Sequence, residues 1–104
     1  MDPHRVAELR SLALHAAIGE RLLRSPELIE DARRRLQSPT TVHATAAYYR
    51  DEWLRVLADP LDRIVAFLRE DSERARALRQ STPFAGVISA RERWRIWRSV
   101  RESA

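Results

Sequence analysis

Apolar residues return every three or four positions through most of this 104-residue chain. That is the period of a helix with one covered face, and no stretch alternates in twos as a half-buried strand would. The first periodic segment predicts a helix from about Pro3 to Arg24. On a helical wheel Val6, Leu9, Ala13, Ala16 and Leu23 form one apolar arc, and Leu14, Ile18 and Leu22 a second, with Glu8 and His15 between them. Two apolar faces imply a helix at the centre of a bundle. A second helix, Pro26 to about Gln37, turns Leu28, Ile29, Ala32 and Leu36 inward and Arg33 to Arg35 outward. A third, about Thr40 to Ala58, spaces Val42, Ala46, Tyr49, Trp53 and Val56 along one side. A fourth begins at Pro60 with Leu61, Ile64, Val65 and Leu68. The polar run Glu70-Asp71-Ser72-Glu73 is a candidate break before a further turn or two through Leu78. After a loop, Gln80 to Ile88, the series Ser89-Ala90-Arg91-Glu92 matches a capping box that opens a last helix.

The punctuation agrees with this pattern. All five prolines follow Asp, Ser or Thr, and there are only two glycines. A short oxygen side chain caps the free amides of a first turn, and proline at the first helical position loses no hydrogen bond. The expected fold is therefore all-α, a compact bundle of five to six helices in a single domain spanning residues 1–104, with no repeat or linker.

Composition narrows the function. The chain has no cysteine, which removes disulfides and thiolate chemistry. No apolar run approaches the ~18 residues of a membrane span, and the start lacks the basic-then-apolar order of a secretory signal. A soluble cytoplasmic protein is expected, too small for a large cofactor. All nineteen positive side chains are arginine, and neither lysine nor asparagine occurs. Both missing residues have AT-rich codons, so the arginine count reflects a GC-rich gene more than a ligand. Its placement says more. Residues 1–73 carry eleven arginines against thirteen acids, whereas residues 74–104 carry eight against two glutamates. Codon usage does not explain that polarity, which points to a binding surface at the C-terminal end.

Catalytic constellations are scarce. Three histidines, His4, His15 and His43, form no His-x-x-x-His or Glu-x-x-His pair, so no metal site is expected. Asp51-Glu52 and Glu70-Asp71 are adjacent pairs, but neighbours on a helix point about 100° apart and do not converge on one atom. Arg10 and His15 match the Arg-x4-His spacing of small helical ribonucleases of the HEPN type, a spacing that nineteen arginines also supply by composition. With no nucleophile beside a base and no glycine-rich phosphate loop, the expectation is a chain that is not an enzyme and holds no cofactor.

The last helix carries the candidate site. Arg91, Arg95 and Arg98 fall at i, i+4 and i+7 as one basic stripe, with Ala90, Trp94, Ile96, Trp97 and Val100 assigned to the opposite side. Arg93 and Arg101 lie among the apolar positions, where they can stack on tryptophan faces. The preceding loop, Pro83-Phe84-Ala85-Gly86-Val87-Ile88, is too apolar for a solvent-exposed connector. Either Phe84 and Val87 plug the core while the tryptophans dock the helix, or Phe84, Trp94 and Trp97 join Arg91, Arg95 and Arg98 in a docking surface.

Taken together, Leu9-Arg10-Ser11-Leu12-Ala13-Leu14-His15, Leu78-Arg79-Gln80, Pro83-Phe84-Ala85-Gly86-Val87 and Arg91-Glu92-Arg93-Trp94 resemble a group of small helical proteins common in GC-rich actinobacteria. The likeness covers nearly the whole chain. Members of that group tend to be encoded beside nucleotidyltransferase-like or other toxin-type enzymes, in the manner of antitoxins. The resemblance implies a toxin-like enzyme as protein partner. The residues themselves add the loop and last helix as the place of contact and, departing from a common antitoxin pattern, offer no disordered tail, so the chain is expected to bind as a folded body. Binding of nucleic acid through the basic last helix is the alternative, and the HEPN-type ribonuclease a third. The sequence leaves a homo-oligomer open.

Overall fold

The computed structural model describes residues 2–38 and 44–103, without the side chains of residues 44, 45 and 103. Among these residues there are six helices and no strand: α1 (Pro3–Arg24), α2 (Leu28–Gln37), α3 (Ala44–Leu57), α4 (Leu61–Leu68), α5 (Glu73–Arg79) and α6 (Ala90–Ser103). The all-α bundle expected from the periodicity is what forms. The start of the third predicted helix, with Val42 and His43, lies outside the described residues.

α1 is the central element and packs against α4, α5 and α6. Asp2 caps it, its carboxylate accepting the His4 amide at 3.2 Å, with Pro3 at the first helical position. The buried stripe is His15, Ile18, Gly19 and Leu22. His15, which the wheel placed at a boundary, is almost fully buried, whereas Leu23 is half exposed. Gly19 allows α1 and α4 to approach closely, because a Cβ there would stand 3.2 Å from Cγ1 of Val65.

Trp53 lies at the middle of the core. Its ring is completely buried, meets Phe67 and Phe84 edge-on, and donates its Nε1–H to the Leu78 carbonyl at 2.8 Å. Thus α3, α4, the end of α5 and the 80–89 loop converge on one side chain. The aromatic packing supplies burial, and the indole proton is satisfied.

Asp2-Pro3, Ser25-Pro26 and Asp59-Pro60 all stand at helix starts, and among the described residues the full pattern of side-chain cap and proline at the first helical position forms at Asp2-Pro3. Pro26 sits in a turn before α2, where the Leu28 amide bonds to Ser25 O, and Pro60 immediately precedes α4 without a side-chain cap. Ser38-Pro39 falls partly outside the described residues. Thr82-Pro83 opens no helix; the Thr82 hydroxyl accepts the Phe84 amide within a run of turns. The break after α4 is real, and Ser72 caps α5 by accepting the Ala75 amide. Arg34 and Arg35 of α2 are exposed as expected and Arg33 is half-buried, but two of the three also tie the fold together. Arg33 donates to Leu57 O at 2.7 Å and Arg35 to Pro83 O at 2.9 Å, each satisfying a carbonyl at a helix end or turn.

Candidate functional site

The site expected from the sequence divides into two unequal parts. Phe84 is removed from it. Its ring has no exposed surface and stacks edge-on against Trp53 at 6.0 Å, so it cannot touch a partner in the folded chain. The apolar loop is a core plug built from Phe84 and Ile88, with Val87 only partly buried. It is pinned from both sides, by Arg35 on Pro83 O and by Arg93 on Ala85 O at 2.9 Å. Gly86 keeps an ordinary backbone angle, so the turn does not require glycine.

α6 follows from Ser89, whose hydroxyl accepts the Glu92 amide at 3.2 Å. Only this half of the capping box forms. The Glu92 carboxylate turns instead to Arg21 near the end of α1, at 3.1 Å, fastening the start of α6 to the central helix. Ile96 supplies the apolar contact with the core.

Arg91, Arg95 and Arg98 are all exposed, as expected. None of the three, nor Arg101, has a carboxylate partner among the described residues, whereas Arg5, Arg21, Arg33, Arg34, Arg50, Arg55, Arg69, Arg74 and Arg76 all do. The two tryptophans behave differently. Trp94 is 56% exposed. Three residues separate it from Arg91 and four from Arg98, which places it about 60° and 40° from them around the helix, on the same face. Its assignment to the opposite side is therefore corrected. Trp97 is half buried and receives Arg10 of α1, whose guanidinium carbon lies 5.6 Å from the ring centroid. The stacked cation comes from α1, not from Arg93 or Arg101. A small cavity of about 30 Å³ remains between Arg10, Trp94, Trp97, Arg98 and Arg101.

The Arg10–His15 pair is not assembled as a reactive couple. Five residues along a helix correspond to about 140° of rotation, so the two side chains diverge. Arg10 is stacked on Trp97, while His15 is buried and holds Ser11 O through Nδ1 at 2.7 Å. Burial pushes the His15 imidazole down to about 4, aided by the charge of Arg79 and opposed by the Ser11 carbonyl. No group of three or more metal-ligating side chains occurs among the described residues, and no described helix is long and apolar enough to cross a membrane.

The geometry can recognise negative charge and a flat apolar group side by side over one exposed helical face. Comparison with known proteins adds no relation: no protein-family model matches the chain, and no curated protein or solved structure does.

Proposed function

We propose that the chain is a non-enzymatic protein-binding module, an antitoxin-type partner that neutralises a toxin-like enzyme by laying the outer face of α6 on an acidic surface. The observation that carries this reading is the unpaired register of Arg91, Arg95 and Arg98 beside the exposed ring of Trp94. Arginine and tryptophan are the residue types that dominate binding energies when a partner desolvates them. The rest of the molecule pairs most of its arginines internally, so the stripe is the largest uncompensated charge on one element. The antitoxin role rests on the sequence resemblance, and the geometry supports the binding role.

Co-expression with the product of the neighbouring gene tests the proposal. The two proteins are expected to co-purify and the neighbour's toxicity to fall, with both effects lost on Trp94→Ala combined with Arg95→Glu. A monodisperse chain that leaves a co-expressed neighbour fully toxic would refute it.

Nucleic acid is the second reading, supported by four exposed cations, Arg91, Arg95, Arg98 and Arg101, with no carboxylate partner among the described residues. It requires an affinity that falls steeply with salt, by a log–log slope of about one per phosphate contacted. An electrophoretic shift absent even at low ionic strength would exclude it.

A further inference from the structure

The cavity of about 30 Å³ at the seam of α1 and α6 is bordered by three guanidiniums and two indoles, those of Arg10, Arg98, Arg101, Trp94 and Trp97, and by no carboxylate. None of the three arginines has an ion pair among the described residues, and Glu102, four positions after Arg98, pairs with none of them. Two different helices thus bring like charges to one crevice, an arrangement that is unfavourable until an anion shares it.

Arg10 is ordered for such a contact. Its guanidinium carbon lies 5.6 Å from the Trp97 ring centroid, a cation–π contact that holds the group without occupying its hydrogen-bond donors. Nε of Arg10 and Nε1 of Trp97 are both buried and lack a hydrogen-bond partner. An acceptor in the crevice that both residues border would relieve that cost. The space admits about two oxygen atoms, at the ~10–15 Å³ that one water requires. A neutral water offers an acceptor but no charge against three cations.

Charge and shape select among oxyanions. A phosphate monoester carries about −1.5 to −2 at neutral pH and matches three cations better than a singly charged carboxylate does. With two of its oxygens in the crevice, the ester side stays at the mouth, where Trp94, Arg98 and Arg101 are exposed. The open ring of Trp94 offers a flat face there, and aromatic rings hold nucleobases by stacking, whatever the base. We infer that the α1–α6 crevice binds a nucleoside monophosphate, its phosphate among Arg10, Arg98 and Arg101 and its base on Trp94. The site is formed by this chain alone and does not rest on the antitoxin reading.

Titration of the full chain with adenosine monophosphate, against chloride at equal ionic strength, tests this by NMR. The expected result is a saturable displacement of the Trp94 and Trp97 indole N–H resonances and of Arg10 Nε–H, with a Kd of about 1 mM or tighter. Inorganic phosphate and adenosine should each bind at least tenfold more weakly. Arg10→Gln should weaken the nucleotide at least tenfold, whereas Arg34→Gln, the same loss of charge on α2, should leave it unchanged. Should Arg10→Gln not fold, Arg101→Gln on the exposed rim decides, with the same tenfold loss expected. Trp94→Ala should bring the nucleotide down to the affinity of inorganic phosphate. Linear shifts shared with chloride, equal binding of inorganic phosphate and nucleotide, or binding undiminished by Arg10→Gln or Arg101→Gln would each overturn the inference. No co-expressed protein takes part, so this result and the co-purification are read separately.

Discussion

The ring of Phe84 meets that of Trp53 edge-on, with centroids 6.0 Å apart and planes at 81°, and neither ring has solvent-exposed surface. That contact makes the 80–89 loop part of the core and separates the aromatic residues of the C-terminal region by role. Phe84→Ala is expected to cost about 3–5 kcal/mol, a large share of what holds a domain of this size together. Trp94→Ala, at a half-exposed position, should change stability by less than ~1 kcal/mol while removing partner binding. Denaturant unfolding of the two variants, beside a pull-down, checks the division; equal destabilisation by both would contradict it.

Much of this arrangement could be read along the chain, because helix periodicity depends on local spacing. The central position of α1 followed from its two apolar arcs, and the polar run after Leu68 marked a true helix end. What could not be read depended on which surface each side chain meets. Nothing local distinguishes Phe84 from Trp94, since both are aromatic residues in the basic quarter of the chain. Arg33 and Arg35 looked solvated because arginine usually is, yet each donates to a carbonyl distant in sequence. A helical wheel gave directions for Trp94 that a count of residues would have corrected: spacings of three and four put it beside Arg91 and Arg98.

Close approach of α1 and α4 at Gly19 leads to a second prediction. Alanine normally improves a helix over glycine by about 1 kcal/mol. Here its methyl would press on Cγ1 of Val65 at 3.2 Å, and a valine in a helix has little freedom to turn away. Overpacking of this kind costs about 1–3 kcal/mol, so Gly19→Ala should be net destabilising by ~1 kcal/mol. In a Val65→Ala background the same change should instead stabilise. A double-mutant cycle reads the reversal, and additive effects would show that the contact does not limit packing.

His15 sets a pH dependence. In the fold the imidazole stays neutral down to about pH 4, because burial disfavours its charge, whereas in the unfolded chain it protonates near its ordinary value of 6.5. Between those two values the unfolded state binds more protons, so stability falls as the pH drops from 6.5 toward 4. The loss approaches about 3 kcal/mol at the lower end and does not grow below it. His15→Leu should remove this part of the slope while leaving the carboxylate titrations in place. Chemical unfolding of both proteins from pH 7 to 4 measures the difference, and parallel curves would place His15 outside the acid response.

The basic stripe weakens the helix that carries it. Arg91 and Arg95 are like charges at i and i+4, a pair that destabilises a helix by about 0.2–0.5 kcal/mol, and Arg91 stands in the first turn of α6, where the helix dipole disfavours a cation. Arg95→Glu would convert two repulsions into attractions, toward Arg91 four residues before and Arg98 three residues after. Stability is therefore expected to rise by about 0.5 kcal/mol, while co-purification with the proposed acidic partner declines at least tenfold. Helix stability and binding would then move in opposite directions at one residue, as they do when surface charge serves a partner instead of the fold. Thermal unfolding and a quantitative pull-down on the same preparation decide it. Unchanged binding by a stabilised Arg95→Glu chain would leave the stripe an ordinary solvated face.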